Sequence, residues 1–189
     1  IAPYAKTGEV HLRVTAGAES EKDAMKLIRP VVKKLKSIFG DKVYTTEEQV
    51  TLEEAVVRLL SENSLTLCTA ESCTGGLVSA RLVNVSGASD VFKCGHVTYS
   101  NKAKRRILGV KKSTLDEYTA VSAKVAGEMA KGARKSCKAD VAVSVTGLAG
   151  PGGDDFGNPV GTVFIGYSDS RITDSIGCYF TGTRERIRI

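Results

Sequence analysis

A chain of 189 residues has room for one ordinary domain, or for a small one joined to a medium one. With 42% apolar and 25% charged residues, its composition excludes a disordered chain, and no apolar run approaches the roughly 20 residues of a membrane-spanning helix. The net charge of +6 favours an anionic partner, but the basic runs, Lys33 to Lys36 and Lys102 to Arg106, are short and Trp is absent. Solvated faces are therefore expected, not a nucleic-acid surface with stacking aromatics.

Residues 10–16 alternate in character and predict a strand. From Ser20 to Phe39, Ala24, Leu27, Ile28, Val31, Leu35 and Ile38 recur at helical spacing, with Ser20 as N-cap and Gly40 as stop. Pro30 is expected to kink or split this helix. A short strand at Val43-Tyr44 completes a small α+β unit over residues 1–50, and the polar stretch Thr45 to Thr51 reads as a linker. A helix over Leu52 to Glu62 follows, and after it strand, loop and helix repeat. Strands are predicted at Leu65–Ala70, Val91–Tyr99, Val141–Val145, Thr162–Tyr167 and Ser175–Phe180. Helices are predicted from Gly75 through Leu82 and from Asn101, Ser113 and Ser122. Buried strands alternating with helices predict an α/β fold over residues 51–189, a three-layer α/β/α domain with a mostly parallel sheet. The starting Ile1 suggests a fragment, and Arg184 to Ile189 read as a helix cut short, so the C-terminus is expected to be truncated.

Five cysteines without a Cys-x-x-Cys pair read as reduced, buried thiols of a cytoplasmic protein without a signal peptide. Two lone histidines, His11 and His96, are too few for an evident zinc site, and no metal is expected.

In open α/β sheets ligands bind beyond the carboxyl ends of the strands. Three polar loops fall there: Thr69 to Gly76, Thr98 to Lys104 and Thr146 to Gly153. Gly75-Gly76 would let backbone approach a ligand, and a helix N-terminus would offer free N–H groups to an anion. Each loop also has a structural explanation: Ser72 or Thr74 as a helix cap, Lys104 as a solvated charge, the glycines as turns. Gly147-Leu-Ala-Gly150 matches the Gly-x-x-Gly of single-strand-binding modules, a match attributed to chance because Pro151 follows it. No Gly-x-Ser-x-Gly or Ser-x-x-Lys signature occurs, and the histidines do not supply a Ser-His-Asp triad. If Ser72 is a nucleophile, a lysine must be its base, with its pKa lowered by roughly three units from about 10.4.

At these loops the sequence resembles the CinA family, the competence/damage-inducible proteins whose C-terminal domain is a nicotinamide-nucleotide amidase. The matching stretches are Thr69 to Gly76, Val97 to Lys104, Gly109-Val110, Ala120 to Ser122, Val145 to Gly153 and Asn158 to Val163. Residues 1–50, beginning Ala2 to Val14, resemble the small KH-like linker domain before the amidase in longer members. The large pyrophosphatase domain of those members has no counterpart here, so its activity is expected to be absent. The resemblance implies hydrolysis of nicotinamide mononucleotide to nicotinic acid mononucleotide and ammonia, with no cofactor, in a homodimer. Ser72 would be nucleophile, Lys104 base and Tyr99 a proton relay or orienting group. Oxyanion donors are expected around Thr74, Gly75 and Gly76. Glu71, Asn101, Thr146, Gly147 and Gly150 are the other expected substrate contacts, with Arg105 a further one. Cys73, Thr74 and Ser100 are the alternative nucleophiles. A non-catalytic module that binds a pyridine nucleotide is the alternative function.

Overall fold

The computed structural model describes residues 1–6, 8–154 and 156–189; Thr7, in the matched N-terminal stretch, and Asp155 lie outside them. The chain divides into two units, Ile1–Leu52 and Glu53–Ile189.

In the first unit β1 (Ala2–Lys6) pairs antiparallel with β2 (Glu9–Arg13). Helix α1 (Glu21–Phe39) starts where Ser20 Oγ accepts the Asp23 N–H at 3.2 Å, and it ends at Gly40, whose φ is +54. Pro30 lies inside a single unbroken helix, so the missing N–H does not split it. The strand expected at Val43-Tyr44 is not formed: a 3-10 turn (Gly40–Lys42) leads into irregular chain instead.

The second unit opens with α2 (Leu52–Glu62). Its sheet has the order β4-β3-β5-β6-β7, formed by β3 (Leu67–Glu71), β4 (Phe92–Val97), β5 (Val141–Gly147), β6 (Thr162–Ser168) and β7 (Thr173–Tyr179). β4, β3 and β5 are parallel neighbours, whereas β6 pairs antiparallel with both β5 and β7. The sheet is thus mixed, with β6 alone running against the rest. The reason is the connection: no helix separates β5 from β6, so no crossover can return the chain in parallel. The β6–β7 turn is tight, with Asp169 Oδ1 accepting the N–H groups of Arg171 and Ile172 at 2.7 Å.

Helices α5 (Asn101–Leu108), α6 (Lys112–Tyr118) and α7 (Ala123–Cys137) cover one sheet face. On that side Val125, Met129, Ala130 and Ala133 of α7 are wholly buried with Cys68, Ala70 and Ala142 of the sheet. The opposite face packs Leu67, Val141 and Val143 against α2, α3 (Leu77–Val83) and α4 (Ala88–Val91). These are the three layers expected. Two polar side chains of β5 point into the α7 side and are satisfied by backbone: Ser144 Oγ donates to Ala126 O at 2.6 Å and Thr146 Oγ1 to Ala120 O at 2.7 Å.

Helices α5 and α7 cross at Gly132, where an added Cβ would stand 1.8 Å from the Leu108 carbonyl oxygen. Alanine is the better helix former by about 1 kcal/mol. Overpacking should nevertheless dominate, because the obstacle is backbone. Gly132→Ala is expected to cost about 1–3 kcal/mol, read as a lower urea midpoint with unchanged slope.

Candidate active site

Because β3, β4 and β5 are adjacent and parallel, their carboxyl ends share one edge, and the loops that follow them meet there. The strand order reverses at β3, which makes the end of that strand the natural crevice of the sheet. Backbone bonds fix the loops to one another. Ser72 N–H donates to Val145 O at 2.9 Å, and Thr98 N–H to Glu71 O at 2.8 Å.

Ser72 and Lys104 come together at this edge. Lys104 sits in the first turn of α5, which Ser100 caps by accepting the Ala103 N–H at 3.1 Å. Its side chain turns inward and is only 1% exposed; Ser72 is 8% exposed. Lys104 Nζ donates to Ser72 Oγ at 2.9 Å, to Thr98 O at 2.9 Å and to Tyr99 O at 3.4 Å. Among the described residues, no carboxylate pairs with Lys104 Nζ. Burial lowers the Lys104 pKa to about 8, against an opposite pull from the neighbouring Cys73 sulfur. In the neutral amine two N–H bonds remain, and two carbonyls stand ready to accept them. The lone pair is then left for the Ser72 hydroxyl proton.

Cys73 is buried beside the pair, and burial raises the pKa of its thiol despite nearby N–H groups and cations. A thiolate is disfavoured there.

The other expected residues divide into groups. Glu71 is buried and faces the start of α3: its carboxylate accepts the N–H groups of Gly76, Val78 and Ser79 at 2.8, 3.1 and 2.8 Å, and the Ser79 hydroxyl at 2.6 Å. Burial pushes its pKa up, but these donors and the Thr74 side chain together bring it below the ordinary value. Its oxygens are thus occupied by the helix end and the Ser79 hydroxyl. Gly76 N–H is occupied in the same way, and Gly75 N–H donates to Ser72 O at 3.1 Å. Among the described residues, the N–H groups of Cys73 and Thr74 have only the weakly accepting Cys73 sulfur beside them. The Thr74 hydroxyl is buried and makes no hydrogen bond of regular geometry among the described residues.

Tyr99 contributes its carbonyl to Lys104, but its exposed ring points elsewhere, and its Oη accepts from Arg184 at 3.1 Å. Asn101 is exposed. Thr146 is buried with its hydroxyl donated to Ala120 O. Gly147 is a packing position, where a Cβ would meet Val163 at 2.7 Å, and Gly150 has φ +92. Arg105 lines an open surface depression with Lys102, Arg106 and Lys111. That depression gathers solvated cations, whereas the chemistry-bearing groups lie at the buried pair.

A helix is expected from Arg184, but its contacts with the site and the role of the Thr98 carbonyl escape the sequence reading. The Thr98 carbonyl holds Lys104. Helix α8 (Arg184–Arg188) packs Ile187 against Cys73, Val145, Ala149 and Val163. From it Arg184 also donates to Gly150 O, and Arg188 donates to Cys73 O at 2.9 Å and Thr74 O at 3.3 Å. Thr98 stands next to Tyr99 in the second polar loop, but the arginines sit far along the chain with no local signal.

A buried serine–lysine pair at the carboxyl edge of an α/β/α sheet marks a class of domain, and comparison with known proteins supplies the family. The family model described as the CinA C-terminal domain matches residues 49–189, and that of the damage-inducible protein CinA KH domain matches residues 1–45. The chain belongs to the CinA family. It is 47% identical over 188 residues to a competence-damage inducible protein of Clostridium botulinum and 48% identical over 190 residues to one of Clostridium beijerinckii. Each match covers 100% of this chain and 46% of the relative, so the chain spans about half the length of those relatives. Among solved structures, a CinA superfamily protein of Escherichia coli superposes with a TM-score of 0.71 at 35% identity, over 76% of this chain and 86% of that one. A competence/damage inducible protein of Agrobacterium tumefaciens gives 0.67 at 39% identity, over 72% and 84%.

Proposed function

We propose that the second unit is an amidohydrolase that converts nicotinamide mononucleotide to nicotinic acid mononucleotide and ammonia. The observation that carries this reading is the buried Lys104 amine, 2.9 Å from Ser72 Oγ, with its pKa lowered to about 8. A serine hydroxyl needs a base within hydrogen-bond reach, and a base works best with a pKa near the working pH.

Neutral Lys104 takes the Ser72 proton as Oγ bonds to the carboxamide carbon, and the carbonyl electrons move onto oxygen. The Cys73 and Thr74 N–H groups are the donors we assign to that oxyanion. Collapse breaks the C–N bond, and the Lys104 ammonium gives its proton to the departing nitrogen, releasing ammonia. Water then attacks the Ser72 ester with Lys104 again as base, collapse breaks the acyl–Oγ bond, and the proton on Lys104 passes to Ser72 Oγ, freeing the acid product. Glu71 acts by positioning, since it fixes the turn from Ser72 into α3. No cofactor enters this scheme. Cytoplasmic location and a homodimer are further parts of the reading; no described helix is long and apolar enough to cross a membrane.

We assign the substrate phosphate to Arg184, a cation held between Tyr99 of the second loop and Gly150 of the third. The purified chain should release ammonia from nicotinamide mononucleotide, and Arg184→Ala should raise KM about 10- to 100-fold with a smaller change in kcat. That corresponds to one charge-assisted contact of about 1.5–3 kcal/mol. An unchanged KM would place the phosphate elsewhere. Nucleotide binding without ammonia release would favour a non-catalytic binding module.

A further inference from the structure

A second cluster of reactive side chains lies on the α7 side of the sheet, and none of its groups hydrogen-bonds to Ser72 or Lys104. Cysteines that look dispersed in sequence converge there. β3 and β4 change register between Leu67 and Cys68, so that Leu67 pairs with Phe92 but Cys68 with Cys94. This irregularity leaves Phe92 on the α2–α3 face and turns Cys94 to the α7 face beside Cys68. His96, two residues on, shares that face. Cys137, the last residue of α7, comes down onto the same corner.

The Sγ atoms of Cys94 and Cys137 and a ring nitrogen of His96 lie within 4.8 Å of one another. His96 Nε2 is 3.7 Å from Cys94 Sγ and 3.2 Å from Cys137 Sγ. Around tetrahedral zinc, with Zn–S about 2.3 Å and Zn–N about 2.0–2.1 Å, the sulfur–nitrogen edge is about 3.6 Å. The two observed separations bracket that edge. Ser136 Oγ is 3.1 Å from the same nitrogen, and Cys68 lies wholly buried in the core against which Cys94 and Cys137 pack. The three ligands are only partly buried, so an ion can reach them.

We propose that Cys94, His96 and Cys137 form a site for a thiophilic divalent ion of the zinc class, with Cys68 the thiol nearest the fourth position. The sequence reading expects no metal, because the histidine and two cysteines that the fold brings together lie apart in the chain. The chemistry of the donors is apt. Burial lowers the His96 pKa, which keeps the ring neutral and able to ligate. Thiolates are the ligating form of cysteine, so binding of a dication would release thiol protons. Bound metal would tie the edge strand β4 to the end of α7. β4 leads directly to Thr98, whose carbonyl holds Lys104.

The test uses the full chain, reduced and freed of metal, titrated with Co2+ and then Zn2+. One Co2+ per chain should bind with thiolate-to-metal charge-transfer absorption and tetrahedral d–d bands, Zn2+ should displace it, and the thermal midpoint should rise. Cys94→Ser and Cys137→Ser should each weaken zinc binding more than about 100-fold, beyond what loss of an outer partner costs, while Cys178→Ser should not. Absence of the charge-transfer band, or parent affinity in folded Cys94→Ser and Cys137→Ser, would overturn the site. Should those variants not fold, alkylation of the parent decides: zinc should protect Cys94 and Cys137, and equal rates with and without zinc would overturn the proposal.

Discussion

Lys104→Met should reduce kcat/KM for ammonia release by about 10³-fold or more, because it removes both the base and the later acid. In the parent, the catalytic form of Lys104 is the neutral amine, so kcat/KM should fall about tenfold per pH unit below about 8 and level off above it. The same residue makes a separate claim about stability. Its folded pKa of about 8 lies below the ordinary lysine value of 10.5, so the unfolded chain binds the extra proton between those limits. Stability contributed by Lys104 must therefore rise from about pH 8 to 10.5, by about 3 kcal/mol in all, at roughly 1.4 kcal/mol per pH unit. Below pH 8 the buried ammonium is a cost. The difference in unfolding free energy between parent and Lys104→Met isolates this residue from the other groups that titrate in the same range. That difference should move in the parent's favour across the window, and a flat difference would mean the amine is not held at a lowered pKa.

Glu71→Ala should destabilise the protein by about 3–5 kcal/mol, a large share of the stability of a small domain. The carboxylate alone satisfies three backbone N–H groups at the start of α3 and one hydroxyl, all in a buried setting. Truncation leaves these donors without partners and without access to water. Its pKa is lowered on folding, so the stabilisation is present above the unfolded value near 4.5 and is lost as pH falls through the folded value. Urea unfolding of parent and Glu71→Gln against pH checks this. The parent should lose stability on acidification relative to the amide variant, and parallel curves would show that Glu71 is not the anchor of the turn.

The contrast between Glu71 and Lys104 shows how far the sequence reaches. The helices and strands of the second unit are legible because their apolar periodicity is strong, and the chain order places three polar loops at one sheet edge. At Ser122, where a helix is expected to begin, the structure shows the side chain capping α7 by accepting the Val125 N–H at 3.3 Å. The burial of Lys104 has no such local sign. It sits in a run of basic residues, and only its partners in the loops after β3 and β4, Ser72 and Thr98, draw it inward. Glu71 in a polar loop reads equally well as a substrate contact or a helix anchor, and the geometry of one turn decides between them. β1 passes unnoticed because it is short and contains Pro3, which an edge strand tolerates. Arg184 and the Cys94–His96–Cys137 cluster depend on contacts between distant segments, and a register irregularity in one strand pair creates the second of them.

The most direct test of the amidase is a side-by-side assay of ammonia release from nicotinamide mononucleotide by the parent chain and Ser72→Ala, with nucleotide binding measured in both. The hydroxyl is small and close to the surface, so the variant should fold and bind as the parent does. The account predicts steady release by the parent and a fall of about 10³-fold or more in Ser72→Ala at unchanged affinity. A Ser72→Ala protein that keeps the parent's rate would contradict it and move the nucleophile to another side chain of the same loop, Cys73 or Thr74.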